Sequence, residues 1–342
     1  MAHAIKDDMF LSRDSVSVWH REGFQGLTED MGAWEGADYL ATKFDVNAHY
    51  DVSLHAVEVS GSPVKSTHRM IVRGPISAND QEYVDFGIVT PDYHLITPDE
   101  AYRIWDEHVA LPIDTMGVLF DGKALFICTK MPTFDIKGDE VNNHLVFVPR
   151  FSVGEASTIQ YTSVQAVCAN TVQYGWDAAI SKMRLIHDST IKQRTIDWLQ
   201  YQVSQSVASV KAIEENARLL AATDATQDKL VATLLAAYPP VSEPVKDCPP
   251  DVWETRFKRY ELMKERHNAL RIEANNLFEG AGVGSELVSR HGTMWGVISA
   301  VSELENYRTG GSKESRGQSV LVGSRGDTIA RATSKALELC QN

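Results

Sequence analysis

Cys168 and His187 are the first pair in the chain that could do chemistry, as a thiol nucleophile and its base. The surroundings of Cys168 argue otherwise. Val164, Val167, Cys168, Thr171 and Val172 recur at core-like spacing, which reads the thiol as a small buried hydrophobe. His187-Asp188 resembles half of a catalytic relay, but no Gly-x-Ser-x-Gly elbow exists to complete it. The eleven histidines form no His-Glu-x-x-His and no cluster with ligand spacing. There is no phosphate-binding Gly-x-x-x-x-Gly-Lys-Ser/Thr, and Gly280–Gly284 follows a helical stretch as a stop signal. No catalytic residue, metal or cofactor is expected. Asn170, set among apolar neighbours, is expected to clamp backbone through its carboxamide.

Cations make the other constellation. Lys182, Arg184, Lys192 and Arg194 bracket His187 within thirteen residues, with Asp188 the one acid among them. Arg256, Lys258 and Arg259 form a second group, and Arg308, Lys313, Arg316, Arg325 and Arg331 a third. Such groups neutralise phosphates, while Tyr161, Tyr174 and Trp176 offer rings for stacking bases. The competing reading is a solvated helix face with carboxylate partners one turn away. The expected nucleic-acid residues are Lys182, Arg184, Lys192, Arg194, Arg308, Lys313 and Arg316.

The element expected to hold the first group is the stretch Ser157–Asp188. Residues 158–163 alternate as a half-buried strand, and from Val164 the apolar spacing lengthens to three and four, which predicts a long helix. Ahead of it lie strand patterns at 51–60, 68–74 and 141–153, a strand, a turn at Pro91-Asp92 and a second short strand over 83–96, and a hairpin over 116–131 turning at Asp121-Gly122. Thr97-Pro98-Asp99-Glu100 is a helix start. The first forty residues carry aromatic anchors, with a short helix around 36–45. After His187 the pattern is helical. Seams at Ile196–Leu220 and Trp253–Leu277 predict a coiled-coil-like hairpin, separated by a short helix and a Pro-rich linker near 239–250. A basic Gly/Ser-rich loop near 309–319 leads to a last helix near 327–339. The expectation is an α+β fold: a core domain over 1–190, with an antiparallel or mixed sheet packed by the long helix, and a helical domain over 191–342.

Composition is that of a soluble protein, 43% apolar and 23% charged, without a span-length apolar run or a signal-like start. Four scattered cysteines point to a reducing cytoplasm. The net charge of −13 is uneven: residues 1–150 hold 24 acids and 12 bases, leaving 22 and 21 for the rest. A polyanion is therefore expected on the second half.

Several phrases stand together in order: WHREGF, GIVTPDYHLITPDEAYRIWD, VQAVCANTVQYGW, LIHDST and HGTMWGVISAVSELENYR. As a set they resemble a phage- and plasmid-encoded family of unknown function, labelled phage/plasmid-like proteins. Val167, Cys168, Asn170, Thr171 and Gly292-Thr293-x-Trp295 are the most specific parts, and His187-Asp188 departs from the family's His-Thr. The resemblance implies a bacterial host cytoplasm and nucleic-acid metabolism. A weaker, architectural similarity to phage single-strand annealing proteins implies single-stranded DNA binding by a homo-oligomer. The alternatives are a scaffold assembling through its helical hairpin, and an enzyme whose polar site includes Asn170 and His187.

Overall fold

The computed structural model describes residues 10–12, 27–28, 51–58, 65–75, 82–109, 111, 115–165, 170–172, 182–185, 187–310, 319–320 and 323–341. The short helix expected around 36–45, most of the aromatic anchors of the first forty residues, and Cys168 lie outside them.

Two sheets organise the first half. The smaller is antiparallel, β3 (Val52–Glu58), β4 (Lys65–Arg73) and β5 (Val84–Val89), with β4 central. Its inner face buries Val52, Ile71, Phe86 and Val89. Gly87 sits at the bulge with φ +109, and a side chain there would meet the Val153 methyl at 2.6 Å, so only glycine fits. The second short strand expected near residue 95 does not form; residues 93–97, all described, lead directly into a helix.

The larger sheet has the order β10-β9-β8-β7-β6-β1-β2, with β11 also on β9. Its strands are β1 (Phe10–Ser12), β2 (Leu27–Thr28), β6 (Thr115–Leu119), β7 (Ala124–Ile136), β8 (Asp139–Val148), β9 (Ser157–Gln165), β10 (Asn170–Val172) and β11 (Lys182–Leu185). The β1–β2 pair is parallel and the rest antiparallel, so the sheet is mixed. The expected hairpin forms, with Leu119 opposite Ala124 across a turn at Phe120–Gly122. β8 is buried along almost its whole length, as befits a central strand.

The long helix expected from Val164 is not present among the described residues. β9 continues to Gln165, and its outer edge is taken by β10 and then β11, with Thr171 opposite Val164 and Met183 opposite Ile159. The physical reason is the sheet edge: β9 offers an unpaired row of N–H and C=O groups, and pairing satisfies them where a helix would not. Lys182-Met183-Arg184-Leu185 also alternates polar and apolar, a two-residue period hidden inside three-and-four spacing.

The helices are α1 (Pro98–His108), α2 (Ile191–Ser204), α3 (Ser206–Ala222), α4 (Gln227–Ala237), α5 (Pro250–Asn276), α6 (Met294–Glu303) and α7 (Ser324–Gln341). α1 has the expected start: Thr97 and Glu100 close a reciprocal capping box with Pro98 in the first turn. The first long seam is broken at Gln205, where Ser204 bonds back to the Tyr201 carbonyl among weak helix formers. α3 packs on β7, α6 and α7, and α5 meets α4, α6 and the turns that follow α5 and α6. The two seams therefore do not run against each other as a hairpin. α2 and α3 do the covering assigned to the pivot helix, with the Tyr161 hydroxyl donating to the Gln202 carbonyl at 2.6 Å. The apolar core continues without a break from the sheets into α3, α4, α6 and α7, an α+β architecture.

Candidate nucleic-acid interface

Of the seven expected nucleic-acid residues, the three whose side chains are described, Lys192, Arg194 and Arg308, meet carboxylates. Lys192 pairs with Glu100 at 3.5 Å, the same carboxylate that closes the α1 capping box. Arg194 pairs with Asp188 at 2.9 Å. Asp188 is fixed by the Thr190 hydroxyl and amide, and those hydrogen bonds, then Arg194, lower its pKa. Arg308 binds Glu303 at 2.8 Å and approaches Glu273 at 3.6 Å. Lys182 and Arg184 occupy β11, but their side chains, like Lys313 and Arg316, lie outside the described residues. A trough of free charge beside residues 182–194 thus has no support among the described side chains.

A different surface has the required chemistry. α5 is 27 residues long, yet only Ala274, near its C-terminal end, is fully buried. Trp253, Phe257, Tyr260, Lys264, His267, Arg271 and Ala274 follow a strict four-three spacing along one side. Trp253 stacks on Phe257 with centroids 4.8 Å apart, and Phe257 meets Tyr260 at 5.6 Å. Lys246 lies over the Trp253 ring at 4.6 Å, and Lys264 over the Tyr260 ring at 5.6 Å. Neither lysine, nor Arg259 beside them, has a carboxylate within ion-pairing distance among the described residues. The Trp253 indole N–H also finds no acceptor there.

The Pro-rich linker runs back along this ladder. Its prolines exclude helix and keep the strand extended. Arg271 donates to the Tyr238 carbonyl at 3.0 Å and the His267 Nδ1–H to the Pro239 carbonyl at 2.6 Å. At the other end Arg256 reaches Asp247 at 3.4 Å. Spacing read the ring positions as one seam of a coiled coil. That seam continues through Met263, His267 and Leu270, whereas the four-three line from the rings runs on through Lys264, His267 and Arg271, side chains a packed coil would not bury.

Of the polar groups considered for catalysis, His187 forms a structural lock. His187 is buried, stacked on Tyr93 at 5.0 Å, with Nδ1 3.1 Å from the His94 carbonyl and Nε2 3.2 Å from Ser157 Oγ. A carbonyl only accepts, so Nδ1 carries the proton and the Ser157 hydroxyl donates to Nε2. Burial lowers the His187 pKa, against the opposing pull of the His94 carbonyl and Asp188. A serine donating to a neutral imidazole is the geometry of an activated nucleophile. Here Ser157 is fully buried and also accepts from the Arg150 amide at 3.0 Å, so the pair ties β9 to the segment before α2. Asn170 lies in β10 and its side chain is outside the described residues.

The strongest polar constellation was missed altogether. Arg290 grips Asp139 with two bonds of 2.7 Å, and Trp295 Nε1 donates to the same carboxylate at 2.9 Å. All three are buried, and the partners are 151 and 156 residues apart. Gly292-Thr293-x-Trp295 was the visible trace of this site, and nothing near Asp139 announced its partner.

Among the described residues no group of three or more His, Cys, Asp or Glu is placed to hold a metal ion, and no helix is long and apolar enough to cross a membrane. No curated protein and no solved structure matches the chain. Residues 85–334, from β5 into α7 and spanning the ladder, the Asp139–Arg290 grip and the His187 lock, match the family described as a domain of unknown function, DUF932, and the chain belongs to that family.

Proposed function

We propose that the protein binds single-stranded DNA without chemistry, laying it along the outer two thirds of α5, in the nucleic-acid metabolism of a phage or plasmid in a bacterial cytoplasm. The observation that carries this reading is the ladder itself: Trp253 stacked on Phe257, Tyr260 tilted against Phe257, and Lys246 and Lys264 over the end rings, neither lysine neutralised by a carboxylate among the described residues. Single-strand binders combine these two elements, rings for bases and cations for phosphates, and need no base-specific contacts. Overall acidity opposes non-specific duplex binding, which suits a protein that selects exposed bases.

The test is a gel-shift series on single- and double-stranded DNA at rising salt, with Lys246→Ala/Lys264→Ala as the variant. Removing two phosphate contacts should flatten the log–log salt dependence by about 1.4, from roughly 0.7 per contact on single strands. Binding that is weak, equal for both DNA forms and unchanged in the variant rejects the proposal. Loss of binding in Lys192→Ala/Arg194→Ala instead would move the interface back to α2.

A partner-binding scaffold is the second reading, favoured by Leu262 and Ile272, which are 66% and 63% exposed on α5. It requires an oligomer or complex that forms without nucleic acid and is lost in Leu262→Glu.

A further inference from the structure

We propose that the cleft beside β3 is a receptor for a guanidinium group, the side chain of an arginine presented by a protein partner. This inference is independent of the DNA reading. The cleft has a volume of about 370 Å³ and is lined by Asp51, Ser53, His55, Val72, Pro75 and Tyr83. Asp51, Ser53 and His55 occupy alternate positions and so share one face of the strand. Ser53 Oγ donates to Asp51 Oδ2 at 3.0 Å and lies 3.1 Å from His55 Nε2.

The hydrogen inventory fixes what such a cleft can take. Ser53 has a single hydrogen, and Asp51 holds it, so His55 Nε2 must carry its own proton and donate to Ser53. What remains pointing outward is Asp51's unused lone pairs and the free His55 Nδ1. The polar rim is therefore made of acceptors, and its one formal charge is negative. It calls for a cationic ligand rich in donors. Tyr83, 74% exposed, adds a ring face, and Val72 and Pro75 add apolar walls. A planar cation that stacks on a phenol ring and forks onto a carboxylate meets all these demands; a point-like ammonium meets only the charge. The surrounding half of the chain favours the same sign, with 24 acids against 12 bases in residues 1–150. A divalent metal is a poorer fit, because no third anionic or imidazole ligand stands with Asp51 and His55 among the described residues.

Saturation-transfer NMR on the full chain tests this, with N-acetyl-arginine amide, N-acetyl-lysine amide, guanosine monophosphate and Mn²⁺ as separate probes. The arginine amide should bind at least threefold more tightly than the lysine amide. Asp51→Asn should weaken it tenfold or more, and Tyr83→Ala about threefold. Asp51 is exposed, and circular dichroism checks that its variant folds; should it not, Tyr83→Ala, whose ring stands in solvent, carries the test alone. Equal affinity for the two amides, binding unaffected by the variants, or preferential binding of the nucleotide or of Mn²⁺ overturns the assignment.

Discussion

Two tryptophan-centred clusters in the helical half are built to opposite rules. At the inner one, Trp295, Arg290 and Asp139 leave nothing unsatisfied: the indole N–H and both arms of the guanidinium fork end on one buried carboxylate. At the outer one, the Trp253 N–H has no acceptor among the described residues, and Lys246 and Lys264 rest on rings. Residue types are similar; what differs is whether the chain supplies the counter-group. A centre that completes itself spends its interactions on the fold. One left incomplete keeps them for something else.

The inner centre should be broken most severely. Arg290→Ala leaves Asp139 buried without its ion partner, at a cost of about 3–5 kcal/mol in chemical denaturation. Trp253→Ala should cost well under about 1 kcal/mol by the same measurement, since the ring is half exposed. Equal losses from the two variants would erase the distinction between the centres.

Acid should reach the inner region through His144, on β8. Burial, helped by Lys130, lowers its pKa from 6.5 to about 3, and burial lowers that of His187 too. An imidazole harder to protonate folded than unfolded adds stability that is complete above about pH 6.5. That stability falls as pH drops towards 3. The loss amounts to a few kcal/mol, since each tenfold difference in proton affinity between the two states is worth about 1.4 kcal/mol. Denaturation midpoints between pH 7 and 4 check the sign, and His144→Gln should flatten the dependence.

For DNA the order reverses. Trp253→Ala or Phe257→Ala should weaken single-strand binding by about 1–3 kcal/mol per lost stack, read by fluorescence anisotropy, while Arg290→Ala matters only through unfolding. The smallest effect belongs to Lys192→Ala/Arg194→Ala. These side chains form exposed ion pairs, and each pair removed should change stability by about 0–1 kcal/mol.

Local chemistry was what the sequence displayed well. The capping box at Thr97, the Asp121-Gly122 turn and the full length of α5 are readable because their causes lie within a few residues. The stretch 164–188 misleads because β9's open edge, set by partners elsewhere, overrides the spacing. The Asp139–Arg290 grip joins residues 151 apart, and no periodicity in one sequence encodes such a meeting. At the interface, cations were easy to count and hard to rank. Glu100 and Asp188 neutralise Lys192 and Arg194, while the linker's path places Lys246 on a ring rather than on an acid.

Because Ala274 is the one fully buried residue of α5 and the farther attachments run to the linker, Trp253 sits about 30 Å from that anchor, at 1.5 Å per residue. A pivot of about 10° at the base would sweep that tip through roughly 5 Å, more than the rise between successive stacked nucleotides in a duplex. If a single strand lies on the rings as proposed, such a pivot would let them follow its spacing as it stretches.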